Sequence, residues 1–162
     1  MTTQKIISLR EIAGRSRQLR AEGRRVVLCH GTFDLMHTGH IRYLQRAKQE
    51  GDVLLVTVTG DAYVNKGPGR PVLNELLRAE NLAALACVDF VAVNHAVSAV
   101  QALHELCPNI YAKGSDYRSH GDDVTGNIAR EQEAVEAHGG HIFYTDEITF
   151  SSSNLLNEHF NV

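Results

Sequence analysis

The residue types best suited to chemistry are concentrated between Cys29 and His40, in CHGTFDLMHTGH, where His37 and His40 flank a threonine and a glycine. The apolar run Val26 to Leu28 precedes this stretch, and Ile41, Leu44 and Ala47 recur after it at helical spacing. That pattern predicts a strand, a glycine-containing turn and then a helix. Imidazoles at a helix start sit beside unpaired amides and the positive end of the helix dipole, a setting that favours phosphate oxygens. Gly31 and Gly39 remove side chains where backbone must approach such a ligand closely. The plain alternative is a glycine turn with two exposed histidines, and the context of the whole string weighs against it.

Further candidates lie in four other stretches. Asn65 to Pro71, NKGPGRP, is a loop by composition, and its Lys66 and Arg70 could close over a triphosphate or simply be solvated. Gly60-Asp61 ends the strongest strand signal in the chain, and Lys113-Gly114-Ser115-Asp116-Tyr117 ends another. Ser151, Ser152 and Ser153 precede a terminal helical pattern that they are placed to cap. Arg78 sits in a helical pattern, available for phosphate or for a structural ion pair, and Asp34 could serve a ligand or only bond the backbone of its own turn.

The composition narrows the field. A chain of 162 residues, 43% hydrophobic and 22% charged, is sized and composed for one globular domain. A net charge of -3 argues against nucleic acid or a membrane surface as partner, while 16 Lys and Arg still permit a local basic pocket. Cys29, Cys87 and Cys107 are far apart, without a CxxC pair, and fit small core residues in a reducing compartment. No HExxH occurs, and His95, His104, His120, His138, His141 and His159 show no ligand spacing, so no protein metal site is expected. The first twenty residues are broken by charges and lack the apolar run of a signal peptide, and no run reaches membrane-spanning length. The expected location is cytoplasmic.

The elements that must position these residues follow in order. Ser8 and Glu11 have capping-box spacing and open an amphipathic helix to about Ala21, whose arginines (Arg15, Arg17, Arg20, with Arg24 and Arg25 beyond) read as a solvated face. Strands are expected at Arg25 to Cys29, Val53 to Thr59, Phe90 to Val93, Asn109 to Ala112 and His141 to Tyr144. Between them, helices run from Ile41 to Lys48, from an Asn74 cap to Cys87, from Ala99 to Leu106 and from Ile128 to Ala137. In the second of these, Leu76, Leu77, Leu82, Ala83 and Leu85 are expected to face the sheet. Alternation of this kind specifies an α/β fold: a doubly wound, Rossmann-like open parallel sheet of about five strands with helices on both faces. The polar clusters after the first, second and fourth strands then share the carboxyl edge, where such sheets bind ligands. No repeat or linker divides residues 1–162, which read as a single domain.

GxGxxG, GxxxxGK[ST] and G-x-S-x-G are all missing, which removes the dinucleotide, P-loop and serine-nucleophile readings. What is present resembles a known pattern. GTFDLMHTGH is similar to the GxFDxxHxGH signature of the cytidylyltransferase-like branch of the nucleotidylyltransferases, and KGPGRPV, KGSDY and SSSN follow in family order between about Arg24 and Phe160. The resemblance is strongest to the adenylyltransferase domain of bacterial heptose-phosphate enzymes. The glycerol-3-phosphate cytidylyltransferases come second, since the arginine that they place before the serine segment has no counterpart between Tyr144 and Phe150.

This resemblance implies transfer of a nucleotidyl group from NTP, ATP favoured over CTP, to a phosphorylated sugar of carbohydrate metabolism, with release of pyrophosphate. A nucleotide-binding module without turnover is the alternative of another class. The resemblance implies that His37, His40 and Lys66 are catalytic. Gly31, Thr32, Phe33, Gly39, Arg70, Lys113, Asp116 and Ser151 to Ser153 would bind the nucleotide, and Asp34, Asp61 and Arg78 the acceptor. It further implies Mg2+ carried by the NTP, a homodimer, and pairing with a sugar kinase, fused or separate, of which these 162 residues would be one part.

Overall fold

Residues 2–118, 126–146 and 158 are described by the computed structural model of the chain. The first helix, α1 (Leu9–Ala21), starts as its sequence predicts. The Ser8 Oγ accepts from the Glu11 N–H at 3.2 Å, and the Glu11 carboxylate accepts from the Ser8 N–H at 2.9 Å, so two N-terminal amides are satisfied reciprocally. Ahead of it, the Ile7 N–H donates to the Val91 carbonyl at 3.0 Å, docking the N-terminal segment alongside the sheet.

The remaining elements alternate strand and helix: β1 (Val26–Gly31), α2 (Thr38–Lys48), β2 (Val53–Thr59), α3 (Glu75–Ala83), β3 (Phe90–Asn94), α4 (Val100–Leu106), β4 (Ile110–Lys113), α5 (Asn127–Glu136) and β5 (His141–Tyr144). All strand pairs are parallel, in the order β3-β2-β1-β4-β5. The chain builds outward from β1 to β3, then returns to lay β4 on the free side of β1. The strand order therefore reverses between β1 and β4, whose carboxyl ends flank the crevice where such sheets bind ligands.

Side-chain alternation along β1 explains why it reads as a continuous apolar run. Val27 and Cys29 pack with Leu44 and Ala47 of α2 and Ala79 and Leu82 of α3 on one face. Val26 and Leu28 pack with Ile12 of α1, Leu103 and Leu106 of α4 and Val135 of α5 on the other. Both faces are covered, as a parallel sheet requires, and the fold is the doubly wound, Rossmann-like arrangement expected from the alternation. The three cysteines are free thiols, and burial pushes that of Cys29 up to about 12. Among the described residues no helix is long and apolar enough to cross a membrane.

Three local expectations need correction. Asn74 does cap α3, accepting from the Leu77 N–H at 3.0 Å, and Leu82 and Ala83 face the sheet as expected, but the helix ends at Ala83 and Leu76 and Leu77 do not join them. Arg78, Ala79, Leu82 and Ala83 are buried, while Leu76 and Leu77 are 61% and 45% exposed. An arginine occupies the inner stripe because carbonyls and a carboxylate wait for it there, so hydrophobicity alone misplaces Leu76 and Leu77. The α1 arginines are not a free solvated face either: Arg17 and Arg20 donate to carbonyls of Glu105 and Cys107, and Arg15 lies 4.7 Å from the Phe90 ring centre. Finally, α2 begins at Thr38, three residues ahead of the first apolar marker, which draws the histidine motif into its first turn. The serine run with its terminal helix, and Ser119 to Thr125, lie outside the described residues.

Leu44 has no exposed surface and seats α2 on the sheet. Leu44→Ala should lower the unfolding free energy in urea by about 2–5 kcal/mol. A loss below about 0.5 kcal/mol would mean that α2 is not anchored there.

Candidate functional site

At the carboxyl end of β1 the chain turns through Thr32 to Met36 and enters α2 with His37 as its cap. The His37 Nδ1 accepts from the Gly39 N–H at 3.1 Å, which leaves Nε2 as the protonated nitrogen of the neutral ring. The His37 and His40 rings stack with centroids 4.0 Å apart, and the Phe33 ring meets His40 edge-on at 5.5 Å. Phe33 is 5% exposed and adopts φ 50, a left-handed conformation costly for a bulky residue and held here by packing. A Cβ on Gly31 would come within 3.1 Å of that same ring, so the glycine makes room for Phe33 as well as for any ligand.

Burial, then the neighbouring His37 and Lys66, depress the His40 imidazole from 6.5 to about 4, and burial lowers His37. Both rings are accordingly neutral near pH 7. The His40 Nδ1 is buried with no hydrogen-bond partner among the described residues, an arrangement that costs stability unless a ligand completes it.

The glycine-rich loop between β2 and α3 brings cations to the same place. Asp34, with 1% of its side chain exposed, accepts from Arg70 Nε at 2.8 Å and from the Val72 and Leu73 N–H groups at 2.9 Å each. Burial acts to raise the Asp34 carboxyl, but those amides and Arg70 outweigh it and hold it below the usual carboxylate value. Its oxygens are thus engaged in fastening the loop. Arg70 keeps one buried nitrogen, Nη2, without a partner among the described residues. Lys66 is exposed as a residue, yet its ammonium is held below the ordinary lysine value by burial and then by Arg70, with Asp34 opposing.

Arg78 is fully buried, and its guanidinium reaches three segments at once. Nε donates to the Leu73 carbonyl at 2.9 Å, Nη1 to the Thr32 carbonyl at 2.7 Å, and Nη2 to Asp61 Oδ1 at 2.6 Å. Arg78 and Asp61 are paired with each other, which is the structural ion pair that the sequence left open for Arg78 beside contact with phosphate. The Asp61 N–H in turn donates to Glu75 Oε2 at 2.8 Å, a partner the sequence did not single out.

On the far side of β1, Lys113 ends β4 with its ammonium 3.0 Å from Glu131 Oε2 of α5 and 3.3 Å from the Tyr111 hydroxyl. Asp116 lies in the exposed turn Ser115–Tyr117 that follows. His30, beside it on β1, shares a hydrogen at 2.9 Å with Thr57 and is pushed down to about 4 by burial. Neither His30 nor Glu131 was a candidate. Glu131 betrays itself only by falling on the inward stripe of α5 with Ile128, Ala134 and Val135. Ser151, Ser152 and Ser153 lie outside the described residues. The structure therefore gathers His37, His40, Phe33, Lys66 and Arg70 about the start of α2, with Asp34, Asp61 and Arg78 fastening the loops and Lys113 and Asp116 across the crevice.

Residues 28–157 match the cytidylyltransferase-like family model, and the chain belongs to that family. Among curated relatives, the bifunctional protein HldE of Geobacter metallireducens is 36% identical over 160 residues, 95% of this chain and 31% of its own length. HldE of Geotalea uraniireducens is 37% identical over 158 residues, covering 94% and 30%. The chain thus spans about a third of the length of these relatives. Among solved structures, the lipopolysaccharide core biosynthesis protein of Thermoplasma volcanium superposes with a TM-score of 0.65 at 26% identity, over 78% of this chain and 100% of that one. Pantoate-beta-alanine ligase of Francisella tularensis shares the fold, with a TM-score of 0.61 at 12% identity over 97% and 78% of the two chains.

The depressed imidazoles make a pH prediction. His30 and His40 take a proton near 6.5 when unfolded but only near about 4 when folded, so between those values the unfolded chain binds more protons. Stability should fall as pH drops from about 6.5 to about 4, and His30→Asn should flatten that slope. Urea midpoints measured across this range test it; a slope unchanged by the substitution would contradict the assignment.

Proposed function

We propose that the chain transfers a nucleoside monophosphate group from a nucleoside triphosphate, ATP in preference to CTP, to a phosphorylated sugar such as heptose 1-phosphate, releasing pyrophosphate. The observation that carries this reading is the stacked His37–His40 pair at the start of α2, with a buried nitrogen of His40 and one of Arg70 left for an anion to engage. Family membership and the relatives named HldE support the reaction class, and the KGPGRPV and KGSDY stretches support the sugar-phosphate acceptor.

An oxygen of the acceptor's phosphate attacks the α-phosphorus in line. The new P–O bond forms as the bond to the bridging oxygen of the β-phosphate breaks, and that oxygen departs with pyrophosphate. The attacking group is already ionised at neutral pH, so the protein needs neither a nucleophile nor a strong base. Its work is positioning and neutralisation of charge. His37 offers its Nε2 hydrogen and His40 a second ring nitrogen to the phosphates, and in this reading the Thr32 and Phe33 amides contact the α-phosphate. An anion beside these neutral rings favours their protonation, which strengthens the contacts. Lys66 and Arg70 balance charge on the departing pyrophosphate or on the acceptor. In this reading Asp116 and Ser151 to Ser153 would bind the ribose or a phosphate.

Mg2+ is expected with the triphosphate. No group of three or more His, Cys, Asp or Glu that could hold a metal ion occurs among the described residues, and Asp34 and Asp61 are engaged by Arg70 and Arg78. The ion would arrive with the triphosphate and would offset phosphate charge there. Residues 1–162 acting as one domain, a homodimer, a cytoplasmic location and a partner sugar kinase, fused or separate, complete the proposal.

Pyrophosphate release measured with ATP and with CTP, each against heptose 1-phosphate and glycerol 3-phosphate, tests it. The ATP and sugar-phosphate pair should turn over fastest, and no release with any pair would leave a binding module. His37→Ala and His40→Ala should each cut turnover about 100-fold, the loss of a transition-state contact of about 3 kcal/mol. Near-normal turnover in both variants would rule out the mechanism.

A further inference from the structure

Glu131 is a carboxylate in the wrong place for a surface helix: it is 4% exposed and faces the sheet from α5. Its two oxygens join three elements. Oε2 accepts from Lys113 Nζ and from the Tyr111 hydroxyl, both at 3.0 Å, and Oε1 accepts from the Ala99 N–H just before α4 at 3.2 Å. Lys113 is 9% exposed, and its ammonium also lies 4.6 Å from the centre of the Tyr117 ring. The ion pair thus reaches into the turn Ser115–Tyr117, which carries Asp116. That turn is tightly wound: a Cβ on Gly114 would lie 2.6 Å from Asp116 Oδ1, so the Asp116 carboxylate folds back over a glycine.

A lysine held in this way is a poor phosphate ligand. To reach a ligand it would have to leave Glu131 charged, buried and without its counter-ion, a costly state. We propose that Glu131 is a positioning residue which, through Lys113 and the Tyr117 ring, fixes the 114–117 turn in the place that nucleotide binding requires. Lys113 serves the nucleotide through that turn and makes no direct contact with phosphate. The turn's role at the nucleotide rests on the function proposed above; its anchoring by Glu131 does not.

The test uses the full chain and two readouts. Backbone hydrogen exchange, without nucleotide, should speed up about tenfold or more at 114–117 in Glu131→Gln, while peptides of β1 and α2 keep their protection. Affinity for ATP with Mg2+, measured by titration calorimetry, should fall about tenfold in Glu131→Gln and in Lys113→Met, and the double variant should be no weaker than the weaker single, as expected of one coupled unit. Tyr117 is 41% exposed, so Tyr117→Leu leaves the core intact and should loosen the turn with an unchanged thermal midpoint, which keeps the test decisive if the Glu131 variant does not fold. Unchanged exchange at 114–117 in the variants would overturn the proposal. So would independent, multiplicative losses of affinity in the double variant, the signature of a lysine that touches phosphate itself. A wild-type chain that fails to bind ATP would refute the proposed activity, while exchange still decides the anchoring.

Discussion

The working edge of this molecule depends on one buried guanidinium. Arg78 has no exposed surface, and a buried cation without partners would cost the fold several kcal/mol, so the three groups that meet it are fixed by that requirement. They belong to the turn after β1, the turn after β2 and the entry to α3. Asp34 does the reciprocal service, a buried carboxylate satisfied by Arg70 and two amides of the same entry segment. The histidine turn and the glycine-rich loop have little core of their own. They are registered against each other by these two charge centres, which is how loops can present side chains as rigidly as a strand end.

That registration sets the electrostatics of the site. Partial burial keeps His37 and His40 neutral, and Lys66 beside them adds to the cost of protonating His40. Without an anion the cluster is therefore cation-poor at the rings and cation-rich in the loop, with a nitrogen of His40 and one of Arg70 left without a protein partner among the described residues. A triphosphate would supply acceptors to both and lower the cost of charging the imidazoles. Binding and protonation are in this way linked, each favouring the other.

How much of this the sequence discloses follows from what each signal measures. The strand–turn–helix around His37 was legible because β1 is buried on both faces and α2 on one, and burial writes itself as apolar periodicity. The gathering of polar loops along one edge followed from strand alternation alone. Glu131 was not legible in its role, and Arg78 was legible only as one of two options, phosphate ligand or structural ion pair, since a charged residue on an inward stripe looks like an exception to the pattern until its partners are placed. The same blindness put Leu76 and Leu77 inside when they are exposed. Pairing across 17 residues, as between Asp61 and Arg78, is a tertiary fact that no local spacing encodes.

The central claim is that the start of α2 is an anion site whose neutral imidazoles answer to a triphosphate. The most direct measurement is the titration of His40 followed by NMR of its ring, with and without ATP and Mg2+. Alone, His40 should titrate near about 4, as burial and its neighbours dictate. With nucleotide bound, the midpoint should move upward. A midpoint near the ordinary histidine value in the chain alone, or one that nucleotide leaves unmoved, would contradict the account.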